Sequence, residues 1–368
     1  MIVGIPKEVK DRENRVSATP AAVHEYVRNG HEVIVETNAG AGSGFQDDEY
    51  LAEGATIVAT HEEVFARADM IVKVKEPVAS EYDLLRPGQI LFTYLHLAAD
   101  EPLTRTLMER GVQAVAYETV QLPNRALPLL APMSEVAGRM SVQVGAHYLE
   151  STHGGIGTLL GGVPGVPPAE VVIIGGGAVG TNAAKMALGM GANVTIIELS
   201  LDRLRYLDDI LHGRINLLVS NRKTIADAVA RADLVIGSVL IPGARAPKLV
   251  TADMVAAMKS GAVMVDVAID QGGCVETSRP TTHHDPTFIV DGIVHYCVTN
   301  MPGAVGRTST YALCNVTHTF VLRFANEGWR AVAESEPGVA QGINIHAGRV
   351  TNQAVAQTFD LPVGDWSD

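Results

Sequence analysis

One stretch, EVVIIGGGAVGTNAAKMALGMGANVTIIEL, constrains the fold of this chain more than any other segment. Its apolar residues 171–174 predict a buried strand, and Gly175, Gly177 and Gly180 follow in the spacing G-x-G-x-x-G. Small residues then predict a helix, and a second strand ends at Glu198. Such glycines allow a tight turn, close approach of a pyrophosphate and close packing of helix on strand. The segment therefore predicts a dinucleotide-binding domain.

The residue that ends this unit also predicts which dinucleotide binds. A carboxylate at Glu198 is placed to accept hydrogen bonds from the adenosine ribose hydroxyls. A ribose phosphate at that point would face a like charge, so Glu198 favours NAD over NADP. Arg203 and Arg205 follow closely and would soften this preference, which leaves the use of NADP open.

A second glycine-rich stretch, NAGAGSGFQDDEY, lacks the context that the first one has. Gly40, Gly42 and Gly44 follow a predicted strand, but Phe45 and an acidic run come next instead of a helix of small residues. A G-x-G spacing predicts phosphate binding only when a strand precedes it and a helix follows. We expect a turn-rich loop here.

The remainder of the chain alternates predicted strands with predicted helices. Two of the helices have N-cap residues, Thr19 and Asp100, and each is terminated by a glycine. This alternation is typical of α/β proteins with largely parallel sheets. A second series of strands begins after the glycine- and proline-rich segment HGGIGTLLGGVPGVPP. Two domains follow from this break and from the length of 368 residues.

Composition excludes several classes of protein. The net charge of −13 supplies no basic surface for nucleic acid. The N-terminus MIVGIPKEVK lacks the apolar core of a signal peptide, and no apolar run is long enough to span a bilayer, so a cytoplasmic protein is expected. The three cysteines, Cys274, Cys297 and Cys314, lack the spacing of a zinc site or disulfide framework and are predicted to be small buried residues.

The segment ADMIVKVKEP ends an apolar strand with two lysines. Strand alternation places Ile71, Lys73 and Lys75 on one side. Lysines at this place indicate either a solvated edge that discourages pairing or an ammonium group directed into a cleft. The segment alone leaves both alternatives open.

Over essentially its whole length the chain resembles the alanine dehydrogenase and transhydrogenase α-subunit family, and more distantly the saccharopine dehydrogenases. The resemblance rests on the segments GIPKE, ENRVSATP, VKVKEP, LFTYLHLAAD, PLLAPMSEVAGRMSVQVGA, LLGGVPGVPPAEVVIIGGGAVG and VDVAIDQGGCVETSRPTTHHDPTF. It implies two Rossmann-like domains with parallel sheets, in which an NAD-binding domain (131–305) is inserted into a discontinuous substrate domain (1–130 and 306–368). It also implies a homohexamer.

The resemblance assigns substrate binding to Arg15 and Lys75, and catalysis to His96 and Asp270. The chemistry agrees with these assignments. A planar guanidinium suits a substrate carboxylate, a lysine beside Arg15 would have a lowered pKa, and a histidine titrates near neutrality. Asp270 would enter the cleft from the opposite wall. Lys73 would then lie nearer the wall or solvent.

The resemblance further implies NAD contacts from segments that line the cofactor site of the family. Asp266 is expected to be structural, and the histidines of HHDP at 283–286 to be solvated, so that no metal is assigned. The residues predicted to contact NAD are Ser134, Gly175, Gly177, Ala178, Val179, Gly180, Glu198, Arg203, Ser220, Val239, Leu240, Val267, Asp270, Val298, Asn300 and Met301.

The function implied is the NAD-dependent, reversible oxidative deamination of L-alanine to pyruvate, ammonium and NADH. Two alternatives remain. The hydride-transfer subunit of a transhydrogenase-like complex would need a membrane partner. A non-catalytic NAD-binding protein would tolerate loss of His96 and Asp270.

Overall fold

A computed structural model describes residues 1–239 and 246–367 of the chain. The chain forms two compact units, of which the first joins Met1–Met133 to Gly303–Asp368 and the second comprises Ser134–Pro302. The second unit is thus inserted into the sequence of the first. Among the described helices, none is long and apolar enough to cross a membrane.

The strands of the described residues carry the labels β1 to β15. In chain order they are β1 Ile2–Ile5, β2 Glu32–Glu36, β3 Thr56–Val58, β4 Met70–Val72, β5 Ile90–Thr93, β6 Gln113–Ala116, β7 Glu170–Ile174, β8 Asn193–Glu198, β9 Ile215–Val219, β10 Leu234–Gly237, β11 Val263–Asp266, β12 Thr287–Val290, β13 Ile293–Tyr296, β14 Ile343–His346 and β15 Arg349–Val350.

The α-helices of the same residues carry the labels α1 to α13. They are α1 Pro20–Arg28, α2 Asp47–Ala52, α3 His61–Arg67, α4 Glu101–Arg110, α5 Ala131–Tyr148, α6 Ala178–Gly189, α7 Leu201–Ile210, α8 Arg222–Val229, α9 Ala252–Ala256, α10 Gly306–Glu327, α11 Trp329–Ser335, α12 Pro337–Ala340 and α13 Gln353–Thr358.

Each unit contains a doubly wound sheet. The first sheet has the order β15-β14-β6-β5-β4-β1-β2-β3 and is parallel apart from β14 and β15. The second has the order β12-β13-β11-β10-β7-β8-β9 and is parallel apart from β12. In both sheets the chain starts at a central strand, moves outward on one side and then crosses to the other. Such sheets bind ligands at the carboxyl ends of the strands where this reversal occurs, and the predicted α/β class is confirmed.

Local signals predicted the ends of helices well. The hydroxyl of Thr19 accepts from the N–H of Ala22, and the carboxylate of Asp100 accepts from that of Leu103, as N-caps do. Gly111 ends α4 in the left-handed conformation with φ of 64°. The three cysteines are buried, as predicted.

The second glycine-rich stretch departs from its prediction. Residues Ala41–Ser43 form a short 3₁₀ turn, but the acidic run after Phe45 begins helix α2. Gln46 and Glu49 form a capping box, and three acidic residues occupy the first turn, where they complement the helix dipole. The prediction of a loop was therefore wrong for the last four residues of the stretch, 47–50, which belong to α2.

Candidate functional site

The first unit brings two predicted site residues, Lys75 and His96, together with Glu8 at the carboxyl ends of its central strands. Strands β1, β4 and β5 are neighbours and run parallel, so their carboxyl ends meet. Glu8 follows β1, Lys75 follows β4, and His96 follows β5. Chain segments that are remote in sequence thereby converge at one place.

Lys73 does not lie at a wall or in solvent. Its side chain is completely buried, with Nζ donating to Oε1 of Glu81 at 2.6 Å and lying 3.4 Å from Oε2 of Glu8. The backbone of Lys73 still pairs with β5, through its N–H to the carbonyl of Phe92 at 3.1 Å, and β4 is a central strand that is buried on both faces. A buried lysine requires such partners, and the predicted position was wrong.

The network around Lys73 continues to the carboxyl end of β2, where Glu36 lies. Glu81 also contacts Nε2 of His61 at 3.0 Å, and Nδ1 of His61 contacts Glu36 at 2.7 Å. Burial by itself lowers the pKa of His61, but hydrogen bonds to the two carboxylates raise it to about 9. His61 is therefore held in its charged form between Glu36 and Glu81.

Glu8 connects this network to the backbone of Lys75. Its carboxylate accepts from the N–H of Val74 at 2.6 Å and from that of Lys75 at 3.4 Å. Thr93 donates to the carbonyl of Lys75 at 3.0 Å. The backbone of Lys75 is thus tied to two neighbouring strand ends.

The side chain of Lys75 has a lowered pKa. Burial is the largest cause, and the cations of Arg15 and Lys10 lower it further, against the opposing effect of Glu76. Burial raises the pKa of Glu76, but Lys75, His96 and Lys10 overcome this effect and leave it below its usual value. Glu76 thus remains ionised beside an ammonium group that loses its proton more readily than usual.

Arg15 is buried and oriented by an adjacent carboxylate. Its Nε donates to Glu13 at 2.6 Å, its Nη2 donates to the second oxygen of Glu13, and its Nη1 lies 3.2 Å from the sulfur of Met133. Burial alone would lower the pKa of Arg15, but Glu13 raises it. The guanidinium is therefore a permanent charge in a fixed plane.

His96 has an unusual backbone conformation. Its φ of 50° lies in the left-handed region, which non-glycine residues seldom adopt outside strained or functional positions. Glu118 supports this turn by accepting from the N–H of His96 at 2.7 Å and from that of Leu95 at 3.2 Å. The imidazole stacks on the ring of Tyr94, whose hydroxyl donates to the backbone carbonyl of Leu129.

Sequence reasoning missed three carboxylates of this site. Glu8 and Glu13 occur in the segments GIPKE and ENRVS, and Glu118 follows β6. The cations nearby in sequence were a signal for the first two, since a buried arginine or lysine needs a partner. No local signal relates Glu118 to His96, because only the pairing of β5 with β6 brings them together.

The glycine loop of the second unit fits a dinucleotide. Gly175 follows β7 with φ of 101°, and a Cβ on Gly180 would lie 1.9 Å from the carbonyl oxygen of Gly175. A Cβ on Gly177 would meet no atom within 4 Å, so the backbone there is open to a ligand. Helix α6 begins at Ala178 and directs its first N–H groups to the same place. These residues match the requirements of a pyrophosphate site.

Glu198 ends β8 beside this loop, where a ribose would lie. Its carboxylate accepts from the N–H of Gly176 at 2.7 Å and from that of Ser200 at 2.9 Å. Arg203 donates to the carbonyl of Gly176 at 2.6 Å and to the hydroxyl of Thr181 at 2.9 Å. Arg203 thus supports the glycine loop, while Arg205 pairs with Asp202.

The other predicted cofactor residues of the second unit follow the carboxyl ends of its strands. They are Ser220 after β9, Val239 after β10, Val267 and Asp270 after β11, and Val298, Asn300 and Met301 after β13. Leu240 lies outside the described residues. Ser134 and Val179 belong to α5 and α6, which approach so closely that a Cβ on Gly138 would lie 2.2 Å from the carbonyl oxygen of Val179. Asp266 is fully buried, as predicted, and accepts from the N–H groups of Ala268, Cys274 and Val275.

Comparison with known families assigns both parts of the chain to the same family. Residues 4–137 match the N-terminal domain of the alanine dehydrogenase/PNT family. Residues 141–353 match the C-terminal domain of the same family. Together these matches include both candidate sites.

Individual relatives agree with this assignment. An alanine dehydrogenase of Methanococcus maripaludis is 57% identical over 98% of this chain and 97% of its own. A solved structure of L-alanine dehydrogenase is 54% identical, with a TM-score of 0.94 over 98% of this chain and 99% of its own. A transhydrogenase from Sinorhizobium meliloti is 25% identical, with a TM-score of 0.81 over 96% of this chain and 100% of its own. The chain therefore belongs to the alanine dehydrogenase/PNT family.

Proposed function

We propose that the protein is an alanine dehydrogenase that catalyses the NAD-dependent, reversible oxidative deamination of L-alanine to pyruvate, ammonium and NADH. One observation carries the proposal. In the first unit, the buried cation Arg15, held by Glu13, helps to lower the pKa of Lys75. Lys75 lies where β1, β4 and β5 end. The identity of 54–57% to alanine dehydrogenases over nearly the whole chain supports it.

Arg15 and Lys75 bind the substrate in this proposal. The guanidinium holds the carboxylate of alanine or pyruvate, because its planar donors match two carboxylate oxygens. Lys75 donates to the carbonyl oxygen of pyruvate in the amination direction. Its lowered pKa makes this ammonium a stronger hydrogen-bond donor, and it eases proton transfer near neutral pH.

His96 and Asp270 handle the protons. In deamination, loss of hydride from the α-carbon of L-alanine leaves an iminium ion. Water adds to its carbon to give a carbinolamine, and the C–N bond then breaks as the carbonyl of pyruvate forms and ammonium leaves. His96 accepts a proton from the attacking water and returns one to the leaving amine. The catalytic role of Asp270 is proposed from the family resemblance. Bound NAD supplies the hydride acceptor.

The second unit is proposed to bind NAD. The glycine loop Gly175–Gly180 and the start of α6 hold the pyrophosphate, and Glu198 accepts from the adenosine ribose. The remaining residues assigned to NAD by resemblance stay proposals, as do the homohexamer and the cytoplasmic location. Size-exclusion chromatography with light scattering measures the molar mass of the oligomer directly.

Initial-rate assays test the proposed reaction. Purified protein is assayed with alanine plus NAD, with pyruvate plus ammonium and NADH, with lysine plus 2-oxoglutarate and NADH, and with NADH plus an oxidised nucleotide analogue. We expect turnover with the first two combinations alone. Hydride transfer between nucleotides without alanine oxidation would favour a transhydrogenase-like subunit, and NAD binding without turnover would favour a non-catalytic protein.

Variants connect the activity to the proposed site. Lys75→Ala and His96→Ala should each lose turnover. Binding of the reduced cofactor NADH, followed by the change in its fluorescence, should remain. The loss for His96→Ala should be about 10²–10⁴-fold, as for a positioned acid–base group. Lys223→Ala is a matched control, because the side chain of Lys223 is exposed on helix α8 and pairs with Asp227.

A further inference from the structure

Three side chains with metal-binding atoms meet where α5 ends. His147 is in the last turn of the helix, and Glu150 and His153 follow it. One nitrogen of each histidine and one carboxylate oxygen of Glu150 all lie within 4.8 Å of one another. All three residues are exposed, and within 1–239 and 246–367 no other cluster of at least three such ligands occurs.

One distance within this cluster already matches that between two ligands of a metal. Oε2 of Glu150 lies 3.4 Å from Nδ1 of His153. Ligand atoms on a tetrahedral zinc ion, at about 2.0–2.2 Å from the metal, are about 3.4 Å from one another. The rings of His147 and His153 are adjacent, with centroids 3.8 Å apart and planes at 38°, so metal binding requires each ring to turn one nitrogen toward the same point.

The backbone holds the three residues in this arrangement. Leu149 is fully buried, and its carbonyl accepts from the N–H of Gly157 at 2.8 Å. Gly154 has φ of 89°, and a Cβ on Gly155 would lie 2.2 Å from the carbonyl oxygen of Tyr148. The chain therefore folds tightly back on the end of α5, and a metal would find its ligands preorganised.

The chemistry selects the class of metal. Two imidazoles and one carboxylate suit zinc and its neighbours rather than magnesium or calcium, which prefer oxygen ligands alone. The carboxyl end of the 18-residue helix α5 adds a favourable potential for a cation. We propose that His147, Glu150 and His153 bind Zn²⁺ or a similar divalent transition metal, with water completing the coordination. The metal would join the end of α5 to residues 151–153 and stabilise this part of the second unit.

Metal titration of the full-length protein tests the site. Protein without an affinity tag, stripped with EDTA, is titrated with Zn²⁺ by calorimetry, and with Cu²⁺ by electron paramagnetic resonance. We expect saturable binding of one Zn²⁺ per chain and nitrogen coupling from two imidazoles in the Cu²⁺ spectrum. His147→Asn and His153→Asn should each weaken Zn²⁺ binding at least about tenfold and remove the coupling of one nitrogen.

His24→Asn is the matched control. His24 is exposed and contacts Glu53 at 2.7 Å, so it offers an imidazole and a carboxylate without a second imidazole. This variant should bind Zn²⁺ like the wild type. Absence of saturable Zn²⁺ binding, or equal affinity in His153→Asn and the wild type, would overturn the proposal. These measurements do not depend on catalytic activity.

Discussion

Replacing Lys73 by methionine provides a direct test of the buried network in the first unit. Methionine is similar in length to the lysine stem and fills the same space, but it removes the ammonium between Glu8 and Glu81. The structure places Lys73 entirely within the core, whereas strand alternation placed it near the wall or solvent. The two positions predict very different free energies of unfolding.

The expected loss follows from the carboxylates that remain. Breaking a buried pair by removing one partner costs about 3–5 kcal/mol, because a buried charge is left uncompensated. Glu81 keeps His61 at 3.0 Å and the N–H of Val78 at 2.9 Å, and Glu8 keeps the N–H of Val74 at 2.6 Å. Burial also raises the pKa of Glu8, which allows it to take up a proton. These effects place the loss near the lower end, at about 3 kcal/mol.

Urea unfolding at constant protein concentration measures this difference, with the oligomer state of each variant checked first. The double variant Lys73→Met/Glu8→Gln should recover part of the loss, because it removes the charge of Glu8, which has lost its ion pair with Lys73. Lys223→Met, in an exposed pair with Asp227, should change stability by less than about 1 kcal/mol. If Lys73→Met were as stable as Lys223→Met, Lys73 would not be a buried charge and the network described for it would be wrong.

Four further predictions concern single residues. Lys75→Arg should be nearly as inactive as Lys75→Ala, since a bulky group that cannot titrate replaces a compact ammonium. If Lys75→Arg had the kcat of the wild type, Lys75 would contribute only its positive charge. Glu198→Ala should raise kcat/KM for NADP relative to NAD without changing the KM for alanine, and a wild-type enzyme that used both cofactors equally would contradict the ribose argument. Glu118→Gln should lower kcat while changing the KM for alanine little, and it should shift the pH dependence of kcat, because it weakens the support of the turn at His96. An unchanged kcat with an unchanged pH dependence would exclude a positioning role for Glu118. The pKa of His61 is raised from 6.5 to about 9, so its ion pairs stabilise the fold fully below pH 6.5 and lose this effect as the pH rises through 9. The difference in unfolding free energy between wild type and His61→Gln should therefore shrink over this range, and a constant difference would refute the assignment.

Much of the fold was predictable because its signals are local. The glycine loop at Gly175, the N-caps Thr19 and Asp100, and the alternation of strands with helices each depend on residues a few positions apart. The α/β class followed from them. The helix Asp47–Ala52 was missed because its acidic first turn also resembles a solvated loop, and only its capping box distinguishes the two.

The sequence by itself determined the α/β class and the glycine loop, and with the family resemblance it selected Arg15, Lys75 and His96 as candidate site residues. Tertiary structure decided the surroundings of these side chains. Lys73 is a buried ion rather than a side chain near the wall or solvent, because the segments after β1 and after β4 place Glu8 and Glu81 beside it. Glu118 meets His96 for a similar reason, through the pairing of β5 with β6. Burial and charge pairing depend on which strands become neighbours, and that choice is made by packing over the whole chain rather than by any local pattern.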